Sequence, residues 1–160
     1  MERKLNKEER VRLAAADKAS RTRKHLLSLH HCLARSDVMR HHHDALVAEI
    51  STEGMDAFTA VVKVRFFAYL AFWFTALAGV IERYEDLRNS GSIPGDPAVD
   101  LLLTTEFKDI VKRFRNSVAH CSEYDDRRTL EFFDYEDKVP DHAALLATAF
   151  HAYLKKHKGQ

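Results

Sequence analysis

The sequence predicts an all-α protein, an up-and-down bundle of about five to six helices, and three observations carry that prediction. Only five glycines and three prolines interrupt 160 residues, so long stretches lack helix breakers. Alanine and leucine, both strong helix formers, are abundant. No run of alternating apolar and polar residues lies between turn signals, as a half-buried strand would require. At this length a single domain over residues 1–160 can bury a sufficient core without staples.

Taken in order, the first element is a long basic helix. It covers about residues 5–35, most clearly from Asn6 to Ala34, as one helix or as two with a break near Ser20. Ser36 or Asp37 can cap a second helix through Val38, Leu46, Val47 and Ile50, because a short side-chain oxygen satisfies free amides at a helix start. Ser51-Thr52-Glu53-Gly54 reads as a break. The core of the bundle then spans about residues 55–157.

Met55 to Leu87 is the strongest element, a long buried aromatic helix with Phe66, Phe67, Tyr69, Phe72, Trp73 and Phe74 close together. A helix apolar on every side has to be covered on every side, and a small bundle often cannot do so with its own chain. A second copy is a natural source of the missing surface, so a homodimer is expected. The apolar run Phe66 to Ile81 is sixteen residues long, under the ~18 to 20 of a membrane span. Charged residues close it at Lys63, Arg65, Glu82 and Arg83, so no membrane partner is expected.

Asn89 to Pro97 is the one obvious loop. Asp96 and Pro97 occupy N-cap and N1 of a short helix over Ala98 to Leu103. Thr104 or Thr105 caps the next helix, which runs to about Ala119. Residues 121–139 read as irregular, with a short helix or extended piece near Thr129 to Phe133. Pro140-Asp141 opens a last amphipathic helix to about Lys156, whose lysines suit the negative end of the helix dipole.

The formal charge of +1 gives no global pull toward nucleic acid, yet the distribution is uneven. Residues 1–40 carry a net of +6 and residues 121–141 a net of −5. A basic arm can track phosphates, and a solvated helix face has the same composition. Cys32 and Cys121 make no disulfide framework, and the charged N-terminus has no apolar signal core, which together point to the cytoplasm. The ten histidines contain no pair three or four residues apart, so neither a metal site nor a cofactor is expected. Cys121 adjoins His120, a spacing poorly suited to a thiolate–base pair. No glycine-rich phosphate loop is present.

One run concentrates usable chemistry. Phe107, Ile110, Val111, Phe114 and Val118 form an apolar stripe on the helix that ends at Arg115-Asn116-Ser117-Val118-Ala119-His120. At about 100° per residue, Arg115 flanks the stripe at about 80°, while Asn116 and His120 lie opposite it, one turn apart. An asparagine beside an imidazole can set which ring nitrogen carries the proton. Arginine presents a planar donor fork to phosphate, and histidine moves a proton to or from a 2′-hydroxyl or leaving oxygen, with no metal required. Arg115 points about 140° from His120, so two copies around a two-fold axis would bring the groups together more readily than one. The spacing alone is unspecific: fourteen arginines and ten histidines predict about one Arg-x4-His by chance, and the chain has one.

Phe114-Arg115-Asn116-Ser117-Val118-Ala119-His120 in an all-helical chain resembles the HEPN superfamily of small helical proteins, many of them RNases with an Arg-x4–6-His motif. The aromatic helix ending Gly79-Val80-Ile81-Glu82-Arg83-Tyr84, the Asp96-Pro97 helix start and Glu123-Tyr124-Asp125-Asp126-Arg127 add to the likeness, which covers roughly Phe66 to Phe133. The resemblance implies a homodimer with a composite site, metal-independent RNA cleavage leaving 2′,3′-cyclic phosphate and 5′-hydroxyl ends, and a role as a bacterial toxin or defence effector with an antitoxin partner. Arg115 and His120, oriented by Asn116, would be catalytic, with Glu82 and Tyr124 in support. Glu82 suits either an orienting role or a salt bridge to Arg115. Some members carry a tyrosine two residues after the histidine; here that position is Ser122. The alternative is a non-enzymatic helical module of the same fold that binds RNA, nucleotide or a protein partner.

Overall fold

The computed structural model describes residues 6–54, 59–119 and 138–157. Among the described residues five helices follow one another: α1 (Lys7–Glu53), α2 (Ala60–Asn89), α3 (Pro97–Leu102), α4 (Thr105–Ala119) and α5 (Val139–His157). Among the described residues there is no strand, and the protein is an all-α helical bundle. The element expected near Thr129 to Phe133 lies outside the described residues.

α1 begins with a capping box. The Asn6 side chain accepts from the Glu9 amide at 2.8 Å, and the Asn6 amide donates back to the Glu9 carboxylate at 2.9 Å. The helix is continuous past Ser20, but the break expected at Ser36 or Asp37 is absent, and α1 runs 47 residues without interruption. A serine caps only where the chain leaves helical geometry, and neither glycine nor proline occurs in this helix to make it leave. Ser36 instead continues the buried face of Leu29 and Leu33, 1% exposed against the neighbouring helices. The helix stops at Gly54, whose φ of 84° is open to glycine alone without strain.

α2 starts one residue after its Thr59 cap and lies antiparallel to α1, its main partner. His43 of α1 packs on Phe66 and Trp73 near one end of the pair, and Thr22 donates to the Ser92 carbonyl at the other. Trp73, Phe74, Leu77, Val80, Ile81, Tyr84 and Leu87 form its buried face. Phe74 meets Phe114 edge-on across the seam with α4, at 5.9 Å between ring centres.

The described helices leave part of α2 open: Val61, Val64 and Phe72 are 70%, 62% and 63% exposed, with Phe72 lining a groove beside Cys32, Val38 and Met39 of α1. The helix continues well beyond the apolar run from Phe66 to Ile81. At 30 residues it is long and apolar enough to cross a bilayer by length and composition, although 39% of its most apolar window is buried within the bundle.

The α2–α3 connection is held by tyrosines. Asp96 caps α3 by accepting from the Ala98 amide at 3.0 Å. Its own amide donates to the Tyr84 hydroxyl at 2.9 Å, and that hydroxyl donates to Asp100 at 3.1 Å. Arg88 pairs with the same Asp100 carboxylate, and Tyr153 of α5 donates to the Pro94 carbonyl at 2.9 Å. His142 and His151 pin α5 in a similar way, to the Leu102 carbonyl and to Asp37, each at 2.7 Å.

Burial pushes the Tyr84 phenol up to about 12, with its hydrogen bond to Asp100 and that carboxylate's charge adding to the rise. Tyr153 is raised as well, by burial first and then by Tyr84 and Asp96. The folded chain therefore keeps these protons after the unfolded chain has released them. The stabilisation is complete below pH ~10 and is lost as pH rises through the folded values. Tyr84 alone is expected to cost about 2 kcal/mol of stability between pH ~9 and ~12. Urea unfolding across that range measures it, and Tyr84→Phe should flatten the alkaline slope.

Candidate functional site

The run from Arg115 to His120 straddles the end of α4, and the structure describes it as far as Ala119. α4 starts where Thr104 accepts from the Phe107 amide at 3.2 Å, the first of the two threonines expected as its cap. Phe107, Val111 and Phe114 are buried at 5%, 1% and 3%, as their stripe requires. The last turn departs from it. Ser117 is buried at 1% and Val118 is 36% exposed, so the buried face has rotated away from Val118 toward Ser117. The apolar stripe therefore ends at Phe114.

Arg115 sits on the flank of that stripe and turns toward α2. Its Nη1 donates to Glu82 Oε1 at 2.6 Å, with side chains 25% and 53% exposed. One helical turn along α2, Glu85 pairs with Lys108 at 2.7 Å. Two acids on α2 thus face two bases on α4, which fixes the antiparallel register of the pair. Half-exposed pairs of this kind contribute about 0–1 kcal/mol each. Their clearer effect is positional, since the guanidinium is held at a known place with donors to spare. A shallow groove lined by Glu82, Glu85, Lys108, Asp109 and Lys112 runs along the same seam.

Asn116 is partly buried on the neighbouring side of α4. His120, Tyr124 and Cys121 lie outside the described residues. Of the five site residues read from the sequence, the structure brings Arg115 and Glu82 together, with Asn116 following Arg115 on α4.

The clustered histidines have assorted structural roles. The His42 ring stacks on Tyr69, and His43 is 7% exposed between Phe66 and Trp73. Among the described residues no group of three or more His, Cys, Asp or Glu side chains is arranged to hold a metal ion. One polar cluster escaped the sequence reading. Lys18, Arg21, Thr22 and His25 line a notch against Gly91 and Ser92, with Arg83 beside it. The spacing of its α1 members, one helical face over two turns, was the available signal.

Comparison of the chain with protein-family models, with curated proteins and with solved structures gives no match.

Proposed function

We propose that this protein is a metal-independent endoribonuclease of HEPN type, cleaving RNA at a composite site in a homodimer. His120 takes the proton of a ribose 2′-hydroxyl, or returns one to the leaving 5′-oxygen. As O2′ bonds to phosphorus and the P–O5′ bond breaks, Arg115 stabilises the charge on the phosphorane oxygens. The products are a 2′,3′-cyclic phosphate and a 5′-hydroxyl. Asn116 orients the imidazole. In the cytoplasm such an activity suits a bacterial toxin or defence effector restrained by an antitoxin protein.

The observation that carries this proposal is the Arg115–Glu82 pair, which supports a defined position for the phosphate-facing guanidinium at the end of α4. The exposed apolar face of α2 at Val61, Val64 and Phe72 offers a place for the second copy. The same ion pair also favours a second reading, a non-enzymatic module binding RNA, nucleotide or a protein partner. There Glu82 neutralises Arg115 and the pair serves only to join two helices.

RNA cleavage with EDTA present separates the two, comparing wild type with His120→Ala and Arg115→Ala. Loss in both variants supports the ribonuclease. Activity equal in all three proteins removes it, and activity abolished by EDTA points to a metal enzyme instead.

A further inference from the structure

We propose that the basic notch between α1 and the α2–α3 loop is a phosphate-binding site, separate from the run at Arg115. The notch encloses about 320 Å³ and is lined by Lys18, Arg21, Thr22 and His25 of α1 and by Gly91 and Ser92 of the loop. Arg83 of α2 stands at its inner edge, with Nη2 3.5 Å from His25 Nδ1.

Charge distinguishes this notch from ordinary basic surface. Arg88, Lys108 and Arg115 each meet a carboxylate from another helix. Arg83 is half-buried on the same helix and meets a histidine nitrogen instead. Among the described residues neither Arg83 nor Lys18 is paired with a carboxylate. Arg21 has one, Asp17 at 2.7 Å, but both side chains are about two-thirds exposed (67% and 66%). Such a surface pair holds weakly and gives way to a better anion.

Geometry adds to charge. Lys18, Arg21, Thr22 and His25 recur at the spacing that keeps them on one side of α1. Thr22 Oγ1 donates to the Ser92 carbonyl at 3.0 Å, so helix and loop are fastened at the mouth. A tetrahedral oxyanion needs donors from several directions. The notch offers an ammonium, guanidinium forks and an imidazole from two helices, and it is roomy enough for a phosphate group.

A phosphate could come from a nucleic-acid strand or be free in solution. Calorimetric titration at low salt distinguishes the sources. Inorganic phosphate is one ligand, and a short 2′-O-methyl oligoribonucleotide, which has no 2′-hydroxyl to react, is the other. Lys18→Gln and Arg83→Gln are each expected to weaken binding by about tenfold, while Lys63→Gln at the far end of α2 changes it by less than about twofold. If the strand is the ligand, its salt slope also falls by about 0.7 in each notch variant. If only inorganic phosphate responds, free phosphate is the ligand. Binding within about twofold of wild type in both notch variants, or an equal loss in all three, overturns the site. Lys18 is exposed, so its variant leaves the core untouched. The notch variants leave Arg115 and His120 intact and the readout is binding rather than cleavage, so failure here and failure of the ribonuclease proposal are told apart.

Discussion

Phe74→Ala is expected to destabilise the protein by about 3–5 kcal/mol, the range for removing a fully buried phenylalanine. Its ring is 0% exposed, 4.7 Å from the Trp73 ring and set edge-on against Phe114. The truncation removes the contact that seats α4 on α2 and opens a cavity at the junction, with little room for neighbouring rings to close it. Domains of this kind are typically stable by about 5–15 kcal/mol, so the variant keeps a small margin. Its melting temperature should fall by roughly 10 °C. Urea denaturation gives the number, with Phe72→Ala as the comparison. Phe72 is 63% exposed two positions away, and its loss should cost under about 1 kcal/mol in the monomer. Equal costs at the two positions would mean that the wrong face of α2 is buried.

His120→Ala is expected to lower RNA cleavage by about 10²- to 10⁴-fold, the usual contribution of a positioned general acid or base. Arg115→Ala should lose a comparable factor through the phosphorane, while its stability changes by no more than about 1 kcal/mol because the Glu82 pair is half-exposed. That combination, a large kinetic loss with almost no thermodynamic one, separates a catalytic arginine from a merely structural one. Arg115→Lys keeps the charge and loses the planar fork, and it should recover only part of the activity. A His120→Ala protein that cleaves within about threefold of wild type would remove histidine from the mechanism.

How much of this was legible before the structure depends on the range over which each feature is decided. The Asp96-Pro97 start of α3 and the Thr104 cap of α4 are set by neighbouring residues, and both were readable. The continuity of α1 was not, because Ser36 and Asp37 have the chemistry of caps, whereas the burial of Ser36 and the pairing of Asp37 with His151 of α5 engage them in tertiary contacts instead. At the candidate site, a wheel of α4 put Arg115 on the flank where Glu82 meets it. The same wheel placed Val118 in the core, and it failed there because packing in the last turn shifts the buried face to Ser117. His25 and Arg83 are 58 residues apart, and only the antiparallel pairing of α1 with α2 brings them into contact.

From Arg10 to Arg21 every residue of α1 is exposed, and that has a consequence for reach. Ahead of the Asp17–Arg21 pair and the notch at Lys18, this stretch has no partner helix to reward its order and is held mainly by its backbone bonding. In that regime adding or removing a turn is nearly neutral in free energy. The first turns of α1, ahead of Asp17, are then expected to fray at little cost beyond the loss of the Asn6 cap. A residue advances the chain about 1.5 Å when wound and about 3.3 Å when extended, so unwinding roughly doubles the radius that Lys7, Arg10 and Arg12 can sweep. The core is undisturbed by this, because its first buried α1 side chain is Leu26. Lys7, Arg10 and Arg12, ahead of the notch at Lys18 and Arg21, are carried on a tether of adjustable length.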